Sequence, residues 1–352
     1  MSAEFYRWLM TAPDRPLVRE AMPPPEPQAG QVRVRVVGCG VCHTDLGFLR
    51  GGVRTRHALP LALGHEIAGV VDACGAGAES WQDRPVLVPA VLPCGECELC
   101  GAGRETACRN QSMPGNDFHG GFASHLTVAA RWLVDASGMP AGLELADLAV
   151  VADAVTTPYQ AMVRAGVDAG DELVIIGVGG IGSFGVQIAA ALGARVVAVD
   201  VDEARLERAC RFGATAGVRV VSTELKATRK AVRDACNDAG FRDYGLKVLE
   251  MSGTPAGQEL AWSLMSHAGT VGIIGFCLDK VAVRLSNLMA FDADAFGSWG
   301  CRPQLYRPAL DLVCAGRVHL KPFIRHYPMG EINAVLDEVH AHRVTERPIL
   351  VP

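Results

Sequence analysis

A glycine-rich turn constrains the fold of this chain more than any other segment. Residues 177–182 read Gly-Val-Gly-Gly-Ile-Gly; they follow an apolar run, Leu173 to Ile176, and precede a helix-like stretch from Ser183 to Leu192. Glycines at this spacing permit a tight turn, let backbone N–H groups approach a pyrophosphate and let the helix pack closely on the strand. The segment therefore predicts a dinucleotide site at a helix N-terminus, formed by Gly177, Gly179, Gly180, Ile181 and Gly182.

The sequence that follows this turn predicts a parallel sheet. Apolar runs at Arg195 to Val199, Leu246 to Leu249 and Val271 to Ile274 are separated by helix-like sequence, which is typical of βαβ units. Asp200 comes directly after the first of these runs. A carboxylate at that place accepts hydrogen bonds from the adenine ribose hydroxyls and repels a 2′-phosphate, so NAD is predicted over NADP.

The first 150 residues differ in character from this segment. They are rich in Gly and Pro, and their short β-branched runs, such as Val32 to Val37 and Ile67 to Val71, lie between turn signals. This pattern predicts a β-rich domain. After about Gly297 the pattern becomes mixed, and it ends in a helical stretch, Met329 to His340, and a short strand. A length of 352 residues is consistent with two domains of roughly 100–200 residues each.

Composition and charge exclude several classes of partner. The net charge is −5, so the chain offers no basic field to a nucleic-acid backbone. No uninterrupted apolar stretch reaches the ~20 residues that a membrane helix needs, and Met1 to Met10 lacks the apolar core of a signal peptide. We therefore expect a cytoplasmic protein whose partner is a small-molecule substrate, with neither nucleic acid nor membrane as a partner.

Four of the twelve cysteines lie within fifteen residues, at Cys94, Cys97, Cys100 and Cys108. Crowding of this kind in a long chain without a secretion signal indicates metal binding rather than a disulfide framework. Four thiolates close the coordination sphere of a tetrahedral zinc, so such a metal supports structure and has no open position for chemistry. The alternative is a zinc ribbon that binds nucleic acid, but the acidic residues of the same loop would repel the phosphate backbone.

A second metal site is indicated by Cys42 and His65, which lie about twenty residues apart. A thiolate, an imidazole and one further ligand leave a fourth position for water or substrate, which is the arrangement of catalytic zinc. His65 taken alone could equally be a structural histidine. No spacing identifies the third ligand. Asp153 lies in an apolar run, where a metal would relieve the cost of a buried carboxylate, and on that ground it is only suggestive.

Taken together, these motifs resemble those of the zinc-containing medium-chain alcohol dehydrogenases over nearly the whole chain. The resemblance is carried by residues 40–45 (Gly-Val-Cys-His-Thr-Asp), 64–66 (Gly-His-Glu), the four cysteines, 120–123 (Gly-Gly-Phe-Ala), the glycine-rich turn and Arg347. It implies an α/β plus β fold: a GroES-like catalytic domain at 1–153 and 298–352, with a structural-zinc lobe at about 93–109. Into this domain a Rossmann doubly wound parallel sheet, the NAD-binding domain at 154–297, is inserted.

The resemblance also implies roles for individual residues. Cys42, His65 and Asp153 become ligands of a catalytic zinc, one of two zinc ions per chain, and the family often has Cys where this chain has Asp153. Thr44 hydrogen-bonds the substrate oxygen and begins proton removal, Asp45 orients a ligand histidine, and Glu66 lies just behind the zinc. The implied cofactor contacts are His43 and Arg347 for the pyrophosphate, Thr157, Ile274 and Phe276 for the nicotinamide, and Arg205 for the adenosine. A homodimer or homotetramer is implied as well.

The chain departs from the family where a proton relay is concerned. Members with a relay often carry a histidine at the position of Gly47. The proton from Thr44 must then leave through the ribose and water or through another base. His57 and His119 are candidates by their proximity in sequence, although a surface or packing role is the more ordinary one for each.

The substrate is expected from a resemblance to one subgroup of the family. Residues 42–48, 55–61 and 114–123 resemble the 6-hydroxycyclohex-1-ene-1-carbonyl-CoA dehydrogenases of anaerobic aromatic degradation. Arg54, Arg56 and Arg302 could neutralise the CoA phosphates, although solvated loop arginines are common. The alternatives are a zinc alcohol dehydrogenase for free primary, secondary or cyclic alcohols and, from another class, a catalytically silent binding protein on the same fold.

Overall fold

The structure, a computed structural model, describes residues 4–221 and 224–352. Residues 1–3 of the N-terminal stretch considered above, and residues 222–223 of the predicted NAD-binding domain, lie outside the described part. The chain forms two compact units: unit 1 is Met1–Thr156, Gly300–Ala315 and Leu320–Pro352, and unit 2 is Thr157–Trp299 and Gly316–His319. Unit 2 is thus formed by a middle segment of the chain together with the short segment Gly316–His319, and unit 1 by both ends.

Unit 1 contains the strands from both ends of the chain. These are β1 (Tyr6–Met10), β2 (Val18–Ala21), β3 (Gln31–Gly40), β4 (Leu61–Ala62), β5 (Glu66–Cys74), β6 (Pro85–Val88), β7 (His125–Ala129), β8 (Val134–Asp135), β15 (Ile324–Pro328) and β16 (Arg347–Val351). The strands of unit 2 are β9 (Glu172–Ile176), β10 (Arg195–Asp200), β11 (Ala216–Arg219), β12 (Lys247–Glu250), β13 (Thr270–Ile273) and β14 (Asp294–Gly297).

The α-helices are short and connect these strands. They are α1 (His43–Leu49), α2 (Glu98–Gly101), α3 (Thr156–Arg164), α4 (Gly182–Ala191), α5 (Glu203–Arg211), α6 (Leu225–Asp238), α7 (Pro255–Ser263), α8 (Ser286–Phe291), α9 (Tyr306–Cys314) and α10 (Ile332–His340). Within residues 4–221 and 224–352, no helix has the length and apolar character that crossing a membrane requires.

Unit 2 is built on a six-stranded sheet in the order β11-β10-β9-β12-β13-β14. Every neighbouring pair in it is parallel. The central strand β9 is buried along its whole length, as expected of a strand covered by helices on both faces of a parallel sheet. Strands β10 and β11 lie on one side of β9, and the later strands β12 to β14 lie on its other side. This change of direction creates a crevice at the carboxyl ends of β9 and β12, which is where ligands bind in sheets of this kind.

Unit 1 has a largely antiparallel sheet in the order β15-β16-β3-β5-β6-β8, with β7 paired to β3. The long strand β3 alternates buried and less buried residues, so that one face packs on the core. The C-terminal strand β16 pairs antiparallel with the end of β3, with Ile349 opposite Gly40 and Leu350 opposite Cys39. The end of the chain is therefore fixed beside the segment that leads into Cys42.

The glycine-rich turn connects β9 to α4 and is held by close packing. Gly177 has φ +81°, and a Cβ there would lie 2.5 Å from Ser252 Cα. A Cβ on Gly182, the first residue of α4, would lie 1.8 Å from the Gly177 carbonyl oxygen. Side chains at these positions are excluded, and the predicted strand–turn–helix is present. The expected fold class, α/β with a doubly wound parallel sheet plus a β-rich domain, is confirmed.

We predict that Gly182→Ala destabilises unit 2, because the new methyl group would overlap the Gly177 carbonyl. Overpacking costs about 1–3 kcal/mol in a close-packed interior, and the loss should appear as a lower free energy of unfolding in a urea titration. Gly297→Ala is the control, since its Cβ would come no closer than 3.9 Å to its nearest neighbour. Equal unfolding midpoints for the two variants would contradict this account of the turn.

Candidate metal centres and cofactor site

The four clustered cysteines form one tetrahedral set in unit 1. Cys97 Sγ lies 3.5 Å from Cys100 Sγ and 3.7 Å from Cys108 Sγ, and Cys94 Sγ lies 3.5 Å from Cys108 Sγ and 4.0 Å from Cys100 Sγ. A tetrahedral zinc with bonds of about 2.3 Å places its sulfurs about 3.8 Å apart. The observed distances match this value and are too long for disulfides, so the site fits a structural zinc.

The pKa values of two of these thiols are shifted in opposite directions. The backbone amides of Glu96 and Cys97 lower the pKa of Cys94 to about 6, which favours the thiolate form that zinc binds. Burial, together with the neighbouring thiols, raises the pKa of Cys100 to about 12. Four thiolates cannot share so small a space without a cation, and a zinc ion at their centre compensates their charge.

The second cluster contains Cys42, His65, Glu66 and Asp153, whose ligand atoms all lie within 4.8 Å of one another. Asp153 Oδ2 lies 3.7 Å from His65 Nε2 and 3.8 Å from Cys42 Sγ. Tetrahedral zinc places nitrogen and oxygen ligands about 3.4 Å apart and sulfur and oxygen ligands about 3.6 Å apart. Sulfur, imidazole and carboxylate are also the donors that zinc prefers. The cluster therefore fits a zinc with three protein ligands and one open position.

Asp45 fixes the backbone beside two of these residues. Cys42 N–H donates to Asp45 Oδ2 (3.0 Å), and Gly64 N–H donates to Asp45 Oδ1 (3.0 Å). The same Oδ1 lies 3.4 Å from His65 Nδ1. The other ring nitrogen of His65, Nε2, faces Asp153. Gly64 has φ +91°, and its missing Cβ would meet the Phe122 ring at 2.6 Å. The glycine before His65 is thus required by packing as well as by backbone conformation.

Glu66 is paired with a cation and is therefore a poorer candidate for the third ligand than Asp153. Arg347 Nε donates to Glu66 Oε2 (2.8 Å), and Arg347 Nη2 donates to Glu66 Oε1. Both side chains are buried. Burial raises the pKa of Glu66 to about 7, against the lowering effect of the Arg347 charge. This pair joins β16 to the start of β5, next to His65 in the chain. The pyrophosphate contact that the family resemblance implies for Arg347 stays a prediction.

Thr44 and His43 follow Cys42 at the start of α1. Thr44 Oγ1 lies 3.6 Å from Cys42 Sγ, which places the hydroxyl beside the metal ligands. The His43 side chain is exposed, and its ring centroid lies 6.1 Å from that of His342. Of the two residues, Thr44 is the one that the structure brings to the cluster.

The two candidate relay histidines lie together in unit 1. The rings of His57 and His119 have centroids 5.4 Å apart. Ala62 N–H donates to His119 Nδ1 (3.1 Å), and burial lowers the pKa of His119 to about 4. The hydrogen bond from Ala62 ties His119 to β4 and is consistent with the packing role that is the more ordinary one for it. A Cβ on Gly47 would lie 3.7 Å from a methyl carbon of Val53, an ordinary van der Waals contact.

The two loops that carry the subgroup resemblance lie against each other. Arg56 N–H donates to Asn116 Oδ1 (3.0 Å), and His57 N–H donates to the Asn116 carbonyl (2.8 Å). The Arg56 guanidinium lies 3.4 Å from Asp117 and retains 58% of its exposure. Arg54 is exposed as well, whereas a guanidinium nitrogen of Arg302 lies 3.7 Å from the position of a Cβ on Gly103 in the four-cysteine lobe.

In unit 2, Asp200 lies at the carboxyl end of β10 and holds the glycine-rich turn. Val178 N–H donates to Asp200 Oδ2 (2.8 Å), and Asp202 N–H donates to Oδ1 (3.0 Å). Arg205 Nη1 lies 4.0 Å from Asp200 Oδ1 and would lie 3.4 Å from a Cβ on Gly179. The acid predicted from the sequence thus lies against the turn, and Arg205 lies on the same side.

The remaining predicted cofactor residues also lie in unit 2. Thr157 is buried near the start of α3, Ile274 is partly buried directly after β13, and Phe276 is exposed. Glu250, at the end of β12, accepts hydrogen bonds from the amides of Ser252 and Gly253 through its side chain. No sequence motif identifies Glu250 or the ion pair between Glu66 and Arg347, two residues that lie 281 positions apart in the chain.

Family models match both parts of the chain. The alcohol dehydrogenase GroES-like domain matches residues 28–138, and the zinc-binding dehydrogenase matches residues 180–315. The first match lies in unit 1 and contains both metal clusters except Asp153. The second covers most of unit 2 and begins within the glycine-rich turn.

Full-length relatives agree with these matches. An alcohol dehydrogenase of Geobacillus stearothermophilus is 29% identical over 339 residues, which is 96% of each chain. A 2-dehydro-3-deoxy-L-galactonate 5-dehydrogenase of Pseudoalteromonas atlantica is 30% identical over 311 residues, 88% of this chain and 87% of the relative. The structure of acetophenone reductase from Geotrichum candidum in complex with NAD is 26% identical, with a TM-score of 0.85 over 100% of this chain and 98% of that chain.

Both metal clusters, the glycine-rich turn and these full-length matches lead to one family. The GroES-like domain combined with a Rossmann-like parallel sheet is confirmed, as are the two zinc sites and the nicotinamide cofactor expected from the sequence. The chain belongs to the zinc-type medium-chain alcohol dehydrogenases, a family of NAD-dependent zinc oxidoreductases.

Proposed function

We propose that Cys42, His65 and Asp153 hold the catalytic zinc of a dehydrogenase that oxidises a carbinol with NAD. The observation that carries this proposal is the approach of Asp153 Oδ2 to within 3.8 Å of both Cys42 Sγ and His65 Nε2. One thiolate, one imidazole and one carboxylate leave a fourth position for the substrate oxygen. The four cysteines at 94–108 hold the second, structural zinc.

The residues around the cluster bind and orient the substrate. When bound, zinc supplies a Lewis acid that stabilises negative charge on an oxygen, and NAD supplies a hydride acceptor. Thr44 Oγ1, 3.6 Å from Cys42 Sγ, hydrogen-bonds the substrate hydroxyl. Thr44 accepts the proton of the substrate hydroxyl and donates its own hydroxyl hydrogen to the next group of the proton path. Asp45 holds the Cys42 and Gly64 amides, which keeps both ligand-bearing segments in place before substrate arrives.

The cofactor is proposed to be NAD rather than NADP. The Asp200 carboxylate is buried and already accepts two backbone amides. A second negative group, such as a 2′-phosphate, would be repelled by this carboxylate, whereas ribose hydroxyls can donate to its remaining lone pairs. Arg205, 4.0 Å from Asp200, is then a contact on the adenosine side.

The narrower proposal for the substrate is 6-hydroxycyclohex-1-ene-1-carbonyl-CoA, oxidised to its 6-oxo form. The support for it is the sequence resemblance of residues 55–61 and 114–123, two loops that are joined by hydrogen bonds through Asn116. Arg54 and Arg56 are exposed on the first loop and could pair with CoA phosphates. The oxidised product would be a β-keto thioester conjugated with the ring double bond.

Two other functions are weighed against this one. Free primary, secondary or cyclic alcohols are the alternative substrates, and the names of the alcohol dehydrogenase and acetophenone reductase relatives favour them. A catalytically silent binding protein on the same fold is opposed by the intact Cys42, His65 and Asp153 cluster. The cytoplasmic location and the homodimer or homotetramer stay predictions from the sequence.

We predict that Cys42→Ala abolishes turnover and leaves NADH binding unchanged. Loss of a zinc ligand removes several kcal/mol of charge stabilisation, which corresponds to a fall in kcat of about 1,000-fold or more. NADH binding, measured by cofactor fluorescence, should not change, because the substitution leaves the glycine-rich turn, Asp200 and the other implied cofactor contacts in place. Cys74→Ala is the control because Cys74 is a half-buried cysteine of the same unit. A Cys42→Ala enzyme with ordinary activity would refute the catalytic-zinc assignment.

We predict that Cys97→Ser removes one zinc per chain and lowers stability and solubility. A structural zinc contributes its binding energy to folding, and loss of a metal is among the few single changes that cost more than about 4 kcal/mol. Zinc content by elemental analysis and the thermal unfolding midpoint are the measurements. Cys210→Ser, at an exposed cysteine of unit 2, is the control. An unchanged melting curve for Cys97→Ser would contradict the structural role.

We predict a strong preference for the thioester over free alcohols. NADH absorbance is followed with purified enzyme and NAD, with 6-hydroxycyclohex-1-ene-1-carbonyl-CoA, cyclohexanol, cyclohex-2-enol and short-chain alcohols as substrates. Arg56→Ala should then raise KM for the thioester and leave KM for cyclohex-2-enol unchanged. Higher kcat/KM for a free alcohol would eliminate the CoA proposal and leave the metal and NAD assignments intact.

A further inference from the structure

Tyr306 joins two parts of unit 1 through its hydroxyl group. It is the first residue of α9, and its side chain is completely buried. The hydroxyl donates to the Ala152 carbonyl (2.7 Å) and accepts from the Ala90 amide (3.0 Å). Burial raises the pKa of Tyr306 well above its ordinary value. The phenol is therefore in its protonated, donating form at neutral pH.

The Ala152 carbonyl is the backbone group directly before Asp153. Ala152 ends a 3₁₀ helix, Leu145–Ala152, and Asp153 leaves it with φ −145° and ψ −57°. On the other side, the Thr156 hydroxyl lies 3.4 Å from the Asp153 carbonyl as a donor. Asp153 thus lies where regular helical geometry ends. The direction of its carboxylate toward Cys42 and His65 depends on how the peptide between Ala152 and Asp153 is held.

The other partner of the hydroxyl lies on a second segment near the metal sites. Ala90 follows β6, which pairs with β5, the strand that begins at Glu66 directly after His65. The hydroxyl of Tyr306 therefore links the segment before Asp153 to the sheet that carries His65. A phenylalanine would fill the same space, so packing alone does not require the oxygen at this position.

We propose that Tyr306 is a positioning residue for the zinc ligand Asp153. Its hydroxyl holds the Ala152 carbonyl against the Ala90 amide, so that the Asp153 carboxylate is directed toward Cys42 and His65 before metal binds. This inference rests on the ligand set proposed above. Groups that orient metal ligands typically affect metal affinity by about 10- to 100-fold when they are removed, and we expect an effect of that size.

Tyr306→Phe tests the proposal, with zinc affinity as the readout. Zinc is removed from purified enzyme with a chromophoric chelator, and the two zinc ions are distinguished by their dissociation constants. Tyr306→Phe should weaken the catalytic-site zinc by about 10- to 100-fold and leave the four-cysteine zinc unchanged. Cobalt substitution gives a second signature, because the charge-transfer band of the Cys42 thiolate reports the geometry of this site alone once the four-cysteine site keeps its zinc.

Two further variants separate failure of this inference from failure of the proposed ligand set. Tyr327→Phe removes the hydroxyl of a half-buried tyrosine in β15 and should leave both zinc affinities unchanged. Asp153→Asn should weaken the catalytic-site zinc. If Asp153→Asn has no effect, the ligand set is wrong. If Asp153→Asn weakens zinc but Tyr306→Phe binds it within two-fold (about 0.4 kcal/mol) of the unchanged enzyme, Tyr306 does not position the ligand.

Hydrogen exchange of the unmodified protein tests the same coupling should Tyr306→Phe not fold. Because coupling between two sites is reciprocal, zinc at the Asp153 site should slow exchange of the Ala90 amide. The comparison is between protein carrying one zinc per chain, in the four-cysteine site, and protein carrying two. The Leu92 amide, which donates to the Ser112 carbonyl (2.9 Å), is the reference. Equal exchange of Ala90 in the two forms would overturn the proposal.

Discussion

A single buried carboxylate, that of Asp45, determines the geometry on which the catalytic site depends. Its two oxygens accept the amides of Cys42 and Gly64 at 3.0 Å and lie beside His65 Nδ1 at 3.4 Å. An unpaired carboxylate in the interior would be costly, and these hydrogen bonds offset that cost. Because the same group contacts both ligand-bearing segments, the thiolate and the imidazole are fixed relative to each other before any metal binds.

The charges behind the ligands complete this arrangement. Cys42 as a thiolate, Asp45 and Asp153 together bring three negative charges into a small buried volume, and the histidine carries none when it binds metal. Glu66 lies next to His65 and is paired with Arg347 through two hydrogen bonds. A divalent cation would compensate two of the three negative charges. The donor set is therefore suited to a divalent cation, and Glu66, already paired with Arg347, is a poorer candidate for the third bond than Asp153.

The two metal sites differ in how much of them the sequence can reveal. Cys94 to Cys108 span a short loop, so the spacing alone predicted a closed site, and the sulfur separations of 3.5–4.0 Å agree with it. The glycine-rich turn was equally predictable, because strand, turn and helix are local. Asp153 lies 111 positions from Cys42, and its apolar surroundings suggested a buried carboxylate without naming its partners. The contact of Tyr306 with Ala152 and the ion pair of Glu66 with Arg347 could not be predicted from local sequence, because each joins segments more than 150 positions apart.

This difference has a physical basis in what each site must do. A site closed by four thiolates from one loop is complete in itself, and its binding energy stabilises that loop. A site with an open position has only three protein ligands. Its geometry therefore depends on neighbouring groups that orient those ligands. Three distant segments supply Cys42, His65 and Asp153; backbone amides that donate to Asp45, and the Tyr306 hydroxyl that donates to Ala152, fix the backbone beside them. In the proposed ligand set, Asp153 offers a harder oxygen where the family often has a cysteine sulfur, and such a ligand would transfer less electron density to a bound zinc.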